Sequence, residues 1–359
     1  MLKSKQITQL EYKERPVSIL MTPLALIFGF IIGAIILYFG KFQAVHVLYE
    51  LLRGAFGSYS SLARTLRWAT PIIFTGLAAT IGFKAGIFNA GIEGQMYFGA
   101  FASAWVGFTF SLPPFIHILL AVTVAGFAGL LYSVIPAYLR LKFNVSEIVT
   151  GILLNYTAIQ ITDYLTLYHF LGRDVTAEAV ATPKINISAV LPQIMSPYKT
   201  TIAFYGAIIL AIFLFILVRY TTFGYEIHLS GLNPTFANYG GIKVNNVRFK
   251  VFLISGFISG LAGASEILGV QGRFLSRFDP GFGFEGFMTC LMAGTNPLGV
   301  IVSSIIIGGL QSGALMIERL TNVPRTVAVI IQGTIILLIS AQGILIIFKK
   351  FYRKVRKNV

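Results

Sequence analysis

Two glycine-flanked carboxylates stand out in a chain with few charges. They are Glu93, in Gly91-Ile92-Glu93-Gly94-Gln95-Met96, and Glu285, in Gly283-Phe284-Glu285-Gly286-Phe287-Met288. An ionised Glu in hydrocarbon costs on the order of 3 kcal/mol on insertion scales and more in simulation. A chain that keeps one twice, in the same local setting, uses it. Two chemistries fit. The carboxylate can line a polar path through a membrane, because glycine permits irregular backbone and such backbone survives in lipid only where protein buries it or a cavity borders it. Alternatively it can clamp a helix start, where free N–H groups and the positive end of the helix dipole favour a negative charge. Asn89 and Gln95 add hydrogen-bonding groups beside Glu93, and the sequence leaves both roles open for this cluster.

Further along, Glu147, Gly151 and Asn155 recur every four residues and so share one helix face, while Thr157, Gln160 and Asp163 form another polar strip. Asn155 and Gln160 suit hydrogen bonding to a polar solute, or adhesion between neighbouring helices. A third segment, 231–242, predicts a short helix: Asn233 can cap it, Pro234 suits its first turn, and Gly240 and Gly241 end it. Phe236 and Tyr239 would then project from a docking surface or from an ordinary amphipathic loop helix. Other chemistry is missing. The sequence has no G-x-x-x-x-G-K-[ST] loop for ATP. His46, His117, His169 and His228 lack metal-ligand spacing, and no Ser, His and acid constellation is visible, which argues against an enzyme. Cys290 is the single cysteine and cannot form an internal disulfide.

The elements that must position these groups are helices in lipid. Of 359 residues, 56% are hydrophobic and 11% charged, against roughly 25% charged in soluble domains. Mean hydropathy is +0.79. The fold class is therefore an all-α integral membrane protein. Apolar runs long enough to span a bilayer suggest about ten transmembrane helices, near 17–39, 63–82, 91–110, 115–139, 148–170, 201–218, 251–270, 284–294, 299–316 and 327–348. The first run is longer than the roughly 7–15 apolar residues of a cleaved signal and reads as a retained helix. Placing both termini inside puts most of the 28 basic residues on the cytoplasmic side. That makes 1–16 a cytoplasmic N-terminus, 172–199 an extracytoplasmic loop, 219–250 a cytoplasmic loop and 349–359 a basic cytoplasmic tail. Arg53, Arg64 and Arg67 then fall outside, the least comfortable feature of this arrangement. The net charge of +15 suits anionic lipid headgroups. It forms no patch on a folded domain that would serve a nucleic acid.

The repeat extends beyond the hexapeptides. Thr75-Gly76-Leu77-Ala78 precedes the first Glu and Ser259-Gly260-Leu261-Ala262 the second. An odd number of crossings between the copies would invert one relative to the other, a design common among transporters.

Several of these segments resemble one family. Phe88-Asn89-Ala90-Gly91-Ile92-Glu93-Gly94-Gln95-Met96 is similar to the F-N-I-G-x-E-G-Q signature of permease subunits in bacterial ABC importers for simple sugars, nucleosides and, more distantly, branched-chain amino acids. The run from Leu66 to Ala78 resembles the nucleoside, guanosine-type branch. The run from Glu147 to Tyr156 resembles the family's E-x-I-x-T-x-x-L-N helix, and Asn296-Pro297-Leu298-Gly299 matches another family element. Gly231-Leu232-Asn233-Pro234, with Ala237 and Gly241-Ile242, resembles the coupling segment that touches the ATPase. Ala90 departs from the usual Ile, and His228-Leu229-Ser230 from the usual Arg-Ala.

The resemblance implies a type II ABC importer fold with an inverted internal repeat. It implies a second permease subunit, a cytoplasmic ABC ATPase that holds ATP and Mg, and an extracytoplasmic solute-binding protein or lipoprotein, with no cofactor in this chain. Candidate path residues are then Asn89, Glu93, Gln95, Asn155, Gln160 and Glu285. Candidate coupling residues are Gly231, Asn233, Pro234, Phe236, Ala237 and Tyr239. The expected activity is purine-type nucleoside import across a bacterial plasma membrane. The alternatives are a sugar such as ribose or galactose, or a secondary transporter driven by protons or sodium through Glu93, Glu285 or Asp163.

Overall fold

The computed structural model describes residues 31–35, 37–39, 42–172, 180–279, 281–320, 330, 333 and 334. The expected N-terminal segment, the basic tail and most of the tenth span lie outside these residues. The chain divides into two compact units, one of Met1–Ala44 with Val329–Val359 and the other of Val45–Ala328. In the first unit, 31–35 and 37–39 are helical. The second unit holds every candidate residue.

It opens with α1 (Ala44–Phe56), which buries Val47, Glu50, Leu51, Gly54 and Ala55 along one face. Glu50 is paired with Arg53 at 3.2 Å. Ser58 then caps α2 (Tyr59–Lys84) by accepting a hydrogen bond from Ser61 N. Helix α3 is Ile92–Thr109, α4 Pro114–Phe143, α5 Glu147–Tyr168 and α6 Ala203–Tyr220. The segment 219–250, expected as a loop with one short helix, is mostly helical: α7 (Thr222–Leu232), α8 (Pro234–Tyr239) and the start of α9 (Val244–Glu266). Thr221 makes α7 possible, since its hydroxyl accepts from Gly224 N at 3.1 Å. Helix α9 runs on through one π turn, Ile267–Gln271, and α10 (Phe282–Met292) and α11 (Pro297–Leu320) follow.

Among the described residues, five helices are long and apolar enough to cross a membrane: α2, α4, α6, α9 with its π turn, and α11. The protein is a multi-pass membrane protein. The run 284–294 differs from its expectation as a full span. The helix there has 11 residues and rises about 17 Å at 1.5 Å per residue, short of a hydrocarbon core of about 30 Å.

Helices α2 and α9 are the buried centre and run antiparallel. Arg67 meets Glu266 at 2.9 Å near one end. Ser255 Oγ donates to Ala78 O in the middle, and Arg248 reaches Ala85 O at the other end. Each central helix packs chiefly on elements from the opposite half of the sequence: α2 on α10 and α11, α9 on α3 and α4. Small residues permit this closeness. A Cβ on Gly76 would fall 2.5 Å from Thr289 Oγ1, and one on Gly260 2.9 Å from the carbonyl carbon of Ala125.

The described part of the connection after α5, residues 180–202, lies over one end of the bundle. It contains a 3₁₀ turn (Ile187–Ala189) and an antiparallel pair, β1 (Gln193–Met195) with β2 (Thr200–Thr201). His117, fully buried at the start of α4, ties it down. Its Nδ1 is 2.8 Å from Ser188 Oγ and its Nε2 3.1 Å from Val106 O.

Candidate functional site

The first Glu motif forms the start of α3. A helix start leaves its first N–H groups without intrahelical partners, and inside a membrane protein these must be met by side chains. Asn89 folds back over the turn. Its Oδ1 accepts from Gly91 N at 3.2 Å and from Gln95 Nε2 at 3.1 Å. Its Nδ2 donates to Gln95 Oε1 and to Ser255 Oγ, each at 2.9 Å. Both amides are sealed from solvent. Asn155 completes the cap from α5: its Oδ1 accepts from Gly94 N, and its Nδ2 donates to Ala90 O, both at 2.8 Å. Gly151, one turn earlier, lets the two backbones touch, since a Cβ there would lie 2.6 Å from Gly91 N. Glu147, at the start of the same strip, pairs with Arg140 at 2.9 Å and closes the α4–α5 corner.

The second motif forms the start of α10. Asp279 Oδ1 accepts from Gly281 N at 2.8 Å and Phe282 N at 2.7 Å. Glu285 is buried and hydrogen-bonded to Gln311 of α11. Thr75 Oγ1 donates to Phe282 O at 2.9 Å and fastens the α10 start to α2.

The N-termini of α3 and α10 meet. A Cβ on Gly283 would stand 2.8 Å from Glu93 Cβ, and Phe88 stacks on Phe287 with ring centroids 4.6 Å apart. Two positive helix ends therefore converge, and the carboxyl groups of Glu93, Asp279 and Glu285 are placed against them. Burial, reinforced by the charge of Glu93, pushes the Asp279 carboxyl up to about 8, against the opposing pull of the Phe282 and Gly281 N–H groups.

The expected path residues separate into two sets. Asn89, Gln95, Asn155 and Glu285 are engaged with the protein itself. Glu93 is half-buried where the α3 and α10 N-termini join, and Gln160 is exposed on α5. Gln160 lines a groove of about 610 Å³ with Tyr156, Thr157, Ile161, Tyr164 and Leu165. Asp279, Gln311 and the Arg67–Glu266 pair were not singled out from the sequence as site residues. The partners of Gln311 and of the Arg67–Glu266 pair lie 26 and 199 positions away, so no local pattern marks them, whereas Asp279 caps residues two and three positions on and its place before Gly281 was a local signal. Arg67 is shielded by that pair and by stacking 4.1 Å over the Trp68 ring, which accounts for a cation that orientation alone left awkward.

At the other end of α2 lie the coupling candidates. Asn233 Oδ1 accepts from Phe236 N at 3.0 Å, capping α8, whose first residue is Pro234. Ala237 is buried, while Phe236 and Tyr239 are 60% and 88% exposed. Gly231 faces inward onto Gly86.

Residues 61–340 match the family of branched-chain amino acid transport system / permease component proteins. The chain belongs to this permease family. It is 33% identical over 337 residues to the guanosine ABC transporter permease protein NupP of Bacillus subtilis, covering 90% of this chain and 93% of that one. It is 30% identical to a glucose ABC transporter permease protein of Haloferax volcanii, over 86% and 81% of the two chains. A second guanosine ABC transporter permease protein of Bacillus subtilis, NupQ, is 27% identical over 69% and 79%. In this permease the segment Asn296-Pro297-Leu298-Gly299 starts α11, where Asn296 Oδ1 accepts from Leu298 N at 3.0 Å.

Proposed function

We propose that this permease imports a purine-type nucleoside across a bacterial plasma membrane, using a separate ABC ATPase that holds ATP and Mg. The observation that carries the reading is the match to a guanosine permease along nine-tenths of the chain. The path runs between this subunit and a second, related permease. The similarity of this chain to both guanosine permease proteins of one Bacillus supports such a pair. A solute-binding protein or lipoprotein delivers the nucleoside outside, and both termini lie in the cytoplasm.

Within this reading, Asn89, Gln95, Asn155 and Glu285 hold the helix starts, and Glu93 and Gln160 are the groups left open to a solute. Tyr156 and Tyr164 flank Gln160 by one turn each way. Aromatic faces suit a base, which gains about 1–3 kcal/mol by stacking, and the amide suits its polar edge. The fold has about ten spans in two inverted halves, a view supported by the exchanged packing of α2 and α9. Phe236 and Tyr239 dock on the ATPase beside Asn233 and Pro234.

The test is uptake of labelled guanosine into proteoliposomes holding both permeases and the ATPase, with binding protein on the opposite side of the membrane from the ATPase. Uptake should require ATP on the ATPase side and be blocked by excess inosine but not by glucose. Blocking by glucose alone would overturn the nucleoside reading. Uptake on a proton or sodium gradient without ATPase would overturn the ABC reading.

A further inference from the structure

We infer that Arg248 and the glycine pair Gly86/Gly231 are positioning residues that carry motion of the ATPase-facing helices onto the N-termini of α3 and α10. The inference rests on the docking reading for Phe236 and Tyr239. Arg248 sits in the first turns of α9 and spans two other elements. Its Nε donates to Ala85 O at 3.4 Å and its Nη2 to Ser230 O at 3.5 Å. Ala85 belongs to the turn that ends α2, and Ser230 to α7, which runs directly into the exposed α8. The same two elements touch backbone to backbone. A Cβ on Gly231 would stand 2.1 Å from Lys84 O and 3.0 Å from Gly86 N, and one on Gly86 would stand 3.2 Å from Gly231 Cα and 3.5 Å from Arg248 Nη2. Gly86 also has φ +70, a conformation that other residues adopt only with strain.

At this contact α7 meets the turn backbone to backbone, and Arg248 is bonded to both. The turn itself is short and bonded, with Ala85 N and Ile87 N both donating to Gly82 O. Three residues beyond Gly86 is Asn89, the amide that ties the α3 start together, and between them Phe88 stacks on Phe287 of α10. A push on α7 therefore reaches α3 and α10 through packed backbone and one ring pair. A second observation supports a junction with more than one arrangement. The Ser230 hydroxyl is fully buried and takes no hydrogen bond among the described residues, so a second register of α7 against the turn has a donor and acceptor waiting to be satisfied.

The test uses the complete transporter, comparing Arg248→Gln, Arg248→Lys and Gly86→Ala with the native chain. Three readouts are needed: co-purification of the ATPase, ATP hydrolysis, and guanosine imported per ATP hydrolysed. Arg248→Gln and Gly86→Ala should keep the ATPase bound and hydrolysing, while guanosine per ATP falls at least tenfold. Arg248→Lys should recover part of that ratio, because an ammonium can still reach one of the two carbonyls. A native transport ratio in either weakened variant, with the ATPase bound, would overturn the proposal. Should Arg248→Gln fail to assemble, Gly86→Ala decides, and a loss of binding, hydrolysis and transport in parallel in both would reduce the junction to a structural contact and also overturn it. The docking reading fails separately, if Phe236→Ala with Tyr239→Ala leaves ATPase co-purification intact.

Discussion

Asn155 does from a neighbouring helix what an N-cap side chain does from the helix's own preceding residue. Because it serves one donor and one acceptor at the start of α3, Asn155→Leu leaves both unpaired in a dry setting, at about 1–3 kcal/mol each. The detergent-solubilised permease should melt at a clearly lower temperature. Asn155→Asp, which keeps the acceptor, should fall between, and an unchanged melting temperature for the leucine variant would remove the capping role. Asp279 makes a prediction of a different kind. Its folded pKa is raised, so the native state keeps a proton that the unfolded chain has already released. This contribution is fully present below the ordinary carboxylate range, declines as pH rises, and is gone above about 8. Melting temperature should therefore fall between about pH 5 and 8 by more in the native protein than in Asp279→Asn, whose amide oxygen still accepts from Gly281 N and Phe282 N. Equal slopes would mean that Asp279 does not titrate in this window.

At the scale of elements, glycine positions separate close helix crossings from open surfaces. Gly260→Ala in α9 drives a methyl into the Ala125 backbone of α4, and overpacking of that kind costs about 1–3 kcal/mol. Gly206→Ala in α6 meets nothing within 4 Å and gains the helix preference of Ala over Gly, about 1 kcal/mol. Thermal unfolding should show the first variant weakened and the second equal or slightly stabilised. The short helix α8 was legible in the sequence because every signal for it is local: the Asn233 cap, Pro234 at the first turn, and a stop at Gly240 and Gly241. Helix α7 was not, since Thr221 is an unremarkable cap and Gly224 sits in its first turn. The β1–β2 pair was hidden for another reason. Two short strands carry no period, and they are held by the connection over the bundle rather than by their own pattern.

At the scale of the whole molecule, the proposed orientation puts 172–199 outside and 219–250 inside, and thiol labelling can read this. Cys290 is buried, so thiol labelling of the native chain should be low. Ile187→Cys, at a position 92% exposed, should react with a membrane-impermeant maleimide in intact cells. Tyr239→Cys, at a position 88% exposed, should react only after the cells are opened. Labelling of both from the same side would contradict the orientation and, with it, the placement of the ATPase.

Composition alone made this a helical membrane protein, because a chain that is 11% charged and 56% hydrophobic has no other stable solvent. The recurring Gly–Glu–Gly motifs located the starts of α3 and α10, since backbone freedom and a helix-end charge are local properties. Only the tertiary structure decided that these helix starts meet, that Asn89 and Gln95 satisfy one another, and that Asn155 caps a helix it does not belong to. Those outcomes depend on which antiparallel helices approach within a glycine's radius. That choice is made by packing between segments from about sixty to nearly two hundred residues apart, and a short stretch of sequence does not contain it.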